Sequence, residues 1–273
     1  MQKNKLNEEL SPSQTQLKTL LDYFQKNLFD EAEKLALSIT QEFPNHQFAW
    51  KVLGALSEKA GRIQEALNAN LKALKISPKD AEAHNSLGNT FKELGRLDEA
   101  EASYKKAITF NPEYPQAHYN LGNVLKVSDR PEEAKVSYKK AIKLKPNYPK
   151  AFNNLGLIYT NTGGLEEAEI NYKQATLLNP NFTEAHNNLG NTFKELGRLD
   201  EAEASYKKAI ALDPDHADAY FNLGRLFKES RRFDEAKEYF NKTIYLKPDN
   251  AFAYNDLGTA LDGLGKLEEA EPI

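Results

Sequence analysis

Apolar residues recur three and four positions apart along most of the chain, and this helical pattern restarts every 34 residues. The glycine of one Leu-Gly pair falls at Gly54, Gly88, Gly122, Gly156, Gly190, Gly224 and Gly258. An alanine series runs Ala32, Ala66, Ala100, Ala134, Ala168, Ala202, Ala236 and Ala270, and a proline series runs Pro44, Pro78, Pro112, Pro146, Pro180, Pro214 and Pro248. Three series locked to one period mark an internal repeat, which decides the architecture before any single motif does. With glycine at position 8, alanine at 20 and proline at 32, repeats start at Ser13, Gln47, Ala81, Pro115, Pro149, Thr183, Ala217 and Ala251.

Each unit reads as two helices. At about 100° per residue, positions 3, 4, 7, 10, 11 and 14 share one arc, with Ala at 3, Leu at 7 and mostly Phe, Leu or Tyr at 11. Positions 2, 5, 6, 9, 12 and 13 share the opposite arc and are mainly Asn, Lys, Glu and Gln, so the first helix is amphipathic. Its expected stop is position 15, held by Asn27, Gly61, Gly95, Asp129, Gly163, Gly197 and Gly265, residues that tolerate the left-handed conformation. Arg231 breaks this rule, which predicts strain or a different turn there. The second helix begins near position 17, with acidic pairs such as Asp98-Glu99 and Asp200-Glu201 beside its positive end. Its apolar stripe carries Tyr104, Tyr138, Tyr172, Tyr206 and Phe240 at position 24, and the proline at 32 terminates it. The glycine at 8 and the alanine at 20 read as small residues that let two backbones approach closely. Ser11-Pro12-Ser13-Gln14 reads as the first helix start, with a serine cap, a proline at the first position and a glutamine to complete a capping box.

Aromatic or His at 4, Leu-Gly at 7 and 8, an aromatic at 11, Ala at 20, Tyr or Phe at 24, Ala at 27 and Pro at 32 together resemble the tetratricopeptide repeat, from about residue 13 to 273. The resemblance implies an all-α fold: a right-handed α-solenoid, or superhelix, of antiparallel helix pairs. It would hold about eight motifs, the last incomplete, with a concave face built by the first helices. The expected division is a polar lead over 1–12, a degenerate capping repeat over 13–46, and full repeats over 47–80, 81–114, 115–148, 149–182, 183–216 and 217–250, followed by a partial repeat over 251–273. The departures are Gln16 in the aromatic slot, Leu20 in place of the first glycine and Asn70 in place of tyrosine. Because Ile273 falls inside an expected helix, two readings stay open: the array runs on into a longer protein, or it ends there with an exposed edge. Residues 89–108 and 191–210 share one twenty-letter string, NTFKELGRLDEAEASYKKAI, three repeats apart. This reads as a duplicated block that presents similar groove chemistry twice.

Composition narrows the chemistry. The net charge is −4 and the pI about 5.9, without the basic face that nucleic acid or an anionic membrane requires. There is no cysteine, so disulfides and thiolate chemistry are excluded and the reducing cytoplasm is the expected setting. No apolar run is long enough to insert in a membrane, and the leading MQKNKLNEELSPS has no signal-like stretch. His84, His118 and His186 all fill position 4, roughly 10 Å apart, too far to share one metal through bonds of about 2 Å; they read as substitutes for the aromatic. Recurring acidic pairs at 18 and 19 read as dipole and solubility features, not as an acid–base pair. Gly263-Leu264-Gly265-Lys266 lacks the spacing of a phosphate loop. The expectation is a chain with no cofactor, no metal, no catalytic residue and no enzymatic activity.

What remains is the polar arc of the first helices. Position 6 is Asn120, Asn154, Asn188 and Asn222 in four successive repeats, flanked by Ser86 and Asp256. Asparagine is a mediocre helix former, but its amide offers both donor and acceptor. A regular column of it can hold the N–H and C=O of an extended peptide whatever the side chains. Position 9 adds Asn89, Asn123 and Asn191, and position 12 adds a basic row of Lys92, Lys126, Lys194 and Lys228, partly offset by Glu93, Glu195 and Glu229. Phe48, Tyr119, Phe221 and Phe252 enter the same face as candidate anchors. The expected function is a non-catalytic scaffold that binds an extended peptide or partner protein. The asparagine column also resembles the one lining the repeat superhelix of O-linked N-acetylglucosamine transferases, where the implied role is to hold substrate polypeptides. This chain has no glycosyltransferase domain, so that activity does not carry over. A substrate-recruiting arm of a larger transferase is the second reading, and self-association through the incomplete C-terminal repeat is the third.

Overall fold

The computed structural model describes residues 11–265. The described residues form fifteen α-helices and no strand. In chain order these are α1 (Gln14–Gln25), α2 (Phe29–Glu42), α3 (Gln47–Lys59), α4 (Ile63–Ile76), α5 (Ala81–Glu93), α6 (Leu97–Phe110), α7 (Pro115–Val127), α8 (Pro131–Leu144), α9 (Pro149–Asn161), α10 (Leu165–Leu178), α11 (Thr183–Glu195), α12 (Leu199–Leu212), α13 (Ala217–Glu229), α14 (Phe233–Leu246) and α15 (Ala251–Gly263). Odd-numbered helices are the first helices of their pairs and even-numbered helices the second. Residues 1–10 and 266–273, among them Lys266, Ala270 and Ile273 of the expected partial repeat, lie outside the described residues. Short turns join the two helices of each pair, as in a helical hairpin. Packing is densest within a pair, then between a second helix and the first helix that follows it. The result is an all-α solenoid of repeats, in which each pair buries its apolar face against its neighbours.

The chain divides into two compact units, one up to Leu144 and one from Lys145. In the first unit α3 touches α5 and α5 touches α7. In the second, α9 touches α11, α11 touches α13, and α13 touches α15. No two second helices within a unit meet to this extent among the described residues. The first helices therefore line the inner side of each arc.

The glycine at position 8 has a different task from the backbone approach expected of it. A Cβ on Gly88, Gly122, Gly156 or Gly190 would lie 2.6–2.8 Å from the ring of Tyr104, Tyr138, Tyr172 or Tyr206, and one on Gly224 would lie 2.8 Å from Phe240. The glycine is thus a socket for the position-24 ring of its own repeat. These rings are all but wholly buried, as is the alanine at position 20. The first repeat solves the same volume problem in reverse: Leu20 replaces the glycine and Ala36 replaces the ring, and both are fully buried in one cluster. In the second repeat Gly54 faces the buried amide of Asn70.

The turns obey one geometry. Glycines at position 15 have φ between 70° and 80°, and Asn27, Asp129 and Arg231 have φ of 58°, 55° and 57°. Arg231 therefore makes the same left-handed turn as its glycine counterparts, at a local cost of about 1–2 kcal/mol for a residue with a Cβ. The first helix starts two residues later than the sequence suggests. Ser13 is the cap, and its box partner is Gln16, not Gln14, with Gln16 N–H donating to Ser13 Oγ (3.1 Å) and Ser13 N–H donating to Gln16 Oε1 (2.8 Å).

A row of arginines at position 16 latches successive repeats on the side away from the inner face. Arg130 reaches Glu101 (2.6 Å), Arg198 reaches Glu169 (2.7 Å) and Arg232 reaches Glu203 (2.7 Å), each at position 21 of the preceding repeat. The same guanidiniums hold Glu133, Glu201 and Glu235 at position 19 of their own repeats. Arg96, Arg198 and Arg232 also lie over Phe91, Phe193 and Phe227, 4.1–4.6 Å from the ring centres. Where position 16 is one of these arginines, the second acid of the pair (Glu99, Glu133, Glu201 and Glu235) is therefore an ion-pair partner, beyond its expected part at the helix dipole. Position 4 adds a further link. Trp50 Nε1 donates to the Pro44 carbonyl (2.9 Å), and Nε2 of His84, His118 and His186 contacts the Pro78, Pro112 and Pro180 carbonyls (2.9–3.0 Å). Histidine suits this slot because, like Trp50, it pairs a flat ring with a donor.

Two predictions follow from this packing. Gly190→Ala should lower the unfolding free energy in a urea titration by about 1–3 kcal/mol. Adding Tyr206→Leu should make the double variant more stable than the sum of the two single losses, because the removed ring is what the new methyl strikes. The second concerns acid. Burial alone would raise the carboxyls of Glu101, Glu169 and Glu203, but Lys105 and Arg130, Lys173 and Arg198, and Lys207 and Arg232 outweigh it and hold them below the usual glutamate range. A depressed folded value adds stability above the unfolded glutamate pKa of about 4.3, and that stability is lost as pH falls through the folded value. Replacing all three by Gln should lower the melting temperature near neutral pH and flatten its fall below about pH 4.

Candidate peptide-binding face

Every sequence-predicted site residue lies on a first helix: the asparagines, the lysines, Tyr119 and Phe221 on α5 to α13, and the candidate anchors Phe48 and Phe252 on α3 and α15. The position-6 asparagines are half-buried and joined into rungs. Asn120 Nδ2 on α7 donates to Oδ1 of Asn85 (3.0 Å) and of Asn89 (3.1 Å) on α5. Asn188 Nδ2 on α11 donates to Asn153 Oδ1 on α9 (3.2 Å), and Asn222 Nδ2 on α13 donates to Asn187 Oδ1 on α11 (3.0 Å). Asn154 occupies the same position on α9 and is also engaged. The sequence pattern offers both functions of each amide to a ligand; the structure commits donors to the preceding repeat. The Oδ1 atoms of Asn120, Asn188 and Asn222 accept no hydrogen bond from the described residues. Their partners Asn85, Asn153 and Asn187 are buried and were not singled out as site residues. Their signal is the adjacent pair at positions 5 and 6: Asn85-Ser86, Asn153-Asn154 and Asn187-Asn188.

The asparagines at position 9 face the core lock. Asn89, Asn123 and Asn191 accept the phenol hydroxyls of Tyr104 (2.8 Å), Tyr138 (2.9 Å) and Tyr206 (2.7 Å). Burial pushes the phenols of Tyr104 and Tyr206 far above their ordinary value, so they remain donors. In the fifth repeat Leu157 stands at position 9, and the Tyr172 hydroxyl instead lies 3.3 Å from Thr160 Oγ1. Asn70, in place of a tyrosine, donates to Thr90 Oγ1 (2.9 Å) and to Glu58 (3.3 Å), and Thr90 Oγ1 lies 2.5 Å from the same carboxylate. Burial raises the Glu58 carboxyl despite these bonds.

The basic row is divided. Lys194 pairs with Glu229 (3.2 Å) and Lys228 with Asp256 (2.5 Å), partners from the next repeat and not the adjacent glutamates the sequence suggested. Lys92 does meet its neighbour Glu93 (3.2 Å). Lys126 is half-buried and has no carboxylate within ion-pair distance among the described residues. Of the aromatics, Tyr119 lies against Tyr138 (5.8 Å between ring centres) and Phe221 against Phe240 (6.0 Å). They extend the lock to the edge of the inner face. Phe48 packs on the core of the first repeats, and Phe252 is 75% exposed.

No cluster of metal-ligating side chains occurs among the described residues, and no described helix is long and apolar enough to cross a membrane. Models of the TPR repeat match residues 59–95, 88–126, 130–163, 156–197 and 190–230, and tetratricopeptide-repeat models match 217–250 and 239–271. The chain belongs to the tetratricopeptide-repeat (TPR) family. Its TPR helices are similar to those of YrrB, described as a TPR protein with an unusual peptide-binding site: identity is 29%, coverage is 70% of this chain and 98% of that one, and the TM-score is 0.60. They are also similar to the MamA protein, at 27% identity, 63% and 93% coverage and a TM-score of 0.55. PilF of Pseudomonas aeruginosa shares the fold, at 24% identity, 77% and 95% coverage and a TM-score of 0.70. A search of curated protein sequences finds no match.

The TPR rungs can be tested without a ligand. Asn120→Ala removes one donor from two acceptors and should cost about 1 kcal/mol. Asn120→Asp places a carboxylate against the same two carbonyl oxygens and should cost more at neutral pH. That excess should shrink in melts below the aspartate pKa of about 3.9, where the acid regains a donor.

Proposed function

We propose that this TPR protein is a non-catalytic scaffold that binds extended polypeptide on the inner side of the first helices within each of its two units. The observation that carries this reading is the set of unpaired acceptors on the rungs, Oδ1 of Asn120, Asn188 and Asn222, held in place by committed donors. Such an array suits backbone N–H groups, which every partner sequence carries. Neighbouring first helices are spaced by roughly 10 Å. A polyproline-II-like segment repeats its orientation every three residues, or about 9 Å, and leaves its own N–H groups unbonded. It can therefore present one donor per repeat in phase with the rungs. Each such bond contributes a net ~0.5–1.5 kcal/mol, so affinity is shared along the face and side chains add selectivity. The half-buried rings of Tyr119 and Phe221 supply apolar contact beside the amides. Similarity to a TPR protein described by its peptide-binding site supports the same class of ligand.

The test is selection of binders from a random linear peptide library, followed by fluorescence anisotropy on the full chain. The combined variant Asn188→Ala with Asn222→Ala should keep the helical circular dichroism and weaken the selected peptides between about fivefold and a hundredfold. Undiminished binding by that variant contradicts the proposal.

A further inference from the structure

The twenty residues shared by 89–108 and 191–210 occur once in each unit, and the two copies meet different neighbours. In the second unit the inner lysines are neutralised from the next repeat. Lys194 meets Glu229 at 3.2 Å, and Lys228 meets Asp256 at 2.5 Å, with Arg225 3.7 Å from the same carboxylate. Three repeats earlier the chain places Val127 at the position of Glu229, Asn120 at that of Asn222 and Asn154 at that of Asp256. The acids that quench the second unit have no counterparts around Lys126. This ammonium sits one helical turn from Asn123, beside Val127, which is 67% exposed. It is half-buried, and burial lowers its pKa with no carboxylate contributing in the opposite direction. Lys92, by contrast, has Glu93 at 3.2 Å and acts on Glu58. A partly desolvated cation without a partner is unfavourable by itself and gains most from an incoming anion.

We propose that Lys126 is the anchor for an aspartate or glutamate side chain of the bound polypeptide, so that the first unit's inner face selects an acidic segment whereas the second unit's paired lysines do not. This inference rests on the peptide-binding reading above. The exposed methyls of Val127 offer the aliphatic part of that side chain a surface, and the Asn123 amide lies on the same helix face.

The experiment compares peptides selected from a random linear library by the wild-type chain with those selected by Lys126→Gln, Lys126→Arg and Lys228→Gln chains of matched circular dichroism. Wild type, Lys126→Arg and Lys228→Gln should enrich Asp or Glu at one fixed place in the peptide, and Lys126→Gln should not. A synthetic acidic binder should bind Lys126→Gln about tenfold more weakly, the size of one charge-assisted hydrogen bond. Its Glu→Gln analogue should bind the wild type and Lys126→Gln equally, and amidating its C-terminus should change nothing. Selected peptides without acidic enrichment, or enrichment that survives Lys126→Gln, would overturn the role of Lys126 while leaving the inner face as the peptide site. Loss of binding on C-terminal amidation would overturn the side-chain assignment. Failure of the wild type to select any linear peptide would overturn both readings.

Discussion

A ring seated on a glycine is the contact on which five successive repeats, from Gly88 to Gly224, are built. The aromatic at position 24 lies where the glycine at position 8 leaves no side chain, which sets the distance between the two helices of a pair. A close-packed interior tolerates little change in volume at such a place. The lock also has a polar extension. The Tyr104 hydroxyl donates to Asn89, and Asn89 Oδ1 also accepts Asn120 Nδ2 from the next repeat. Packing inside one pair is thereby connected to the register of the next first helix, and the amides of the inner face are positioned from the core outward. The first repeat shows that volume is what matters, since Leu20 with Ala36 fills the space that glycine with tyrosine fills elsewhere.

The two faces of each unit divide the charges. On the outer side, arginines at position 16 join glutamates of two repeats and lie over a phenylalanine, so charge there is used to fasten neighbours together. Exposed ion pairs are individually weak, but these share a guanidinium between two carboxylates and an aromatic face. On the inner side, asparagine replaces charge. Amides can satisfy one another along the solenoid and still present acceptors, without the desolvation penalty that a column of ions would carry. Where lysines do enter, the second unit balances them internally, and the first unit leaves Lys126 unbalanced.

The solenoid and its helix boundaries were legible in the sequence because they follow from periodicity, and periodicity depends only on residue class. The residue type at Arg231 predicts strain or a different turn, yet the chain makes there the same left-handed turn as at its seven counterparts, at a local cost small enough to absorb. The task of the position-8 glycine is not legible in the sequence, since a missing side chain does not say what fills the gap; only the fold brings Tyr206 to Gly190. The candidate site was legible as a set of positions but not as a network. Sequence spacing placed Asn120, Asn188 and Asn222 on one arc, yet whether their donors face a ligand or Asn85, Asn153 and Asn187 depends on how closely adjacent first helices approach. Contacts between residues 28 to 35 apart, such as Lys228 with Asp256 and Lys194 with Glu229, were likewise invisible to a reading of single helices.

The central claim is that the inner amides, and not the outer surface, receive the partner. Side-chain amide resonances of asparagine report on this directly in a titration of isotope-labelled protein with a selected peptide. The account predicts that the signals of Asn120, Asn188 and Asn222 shift together and saturably, with those of second-helix residues such as Asn171 unmoved. Shifts confined to the outer helices, around exposed residues such as Val136 and Ile170, with the inner amides unchanged at saturation, would contradict it.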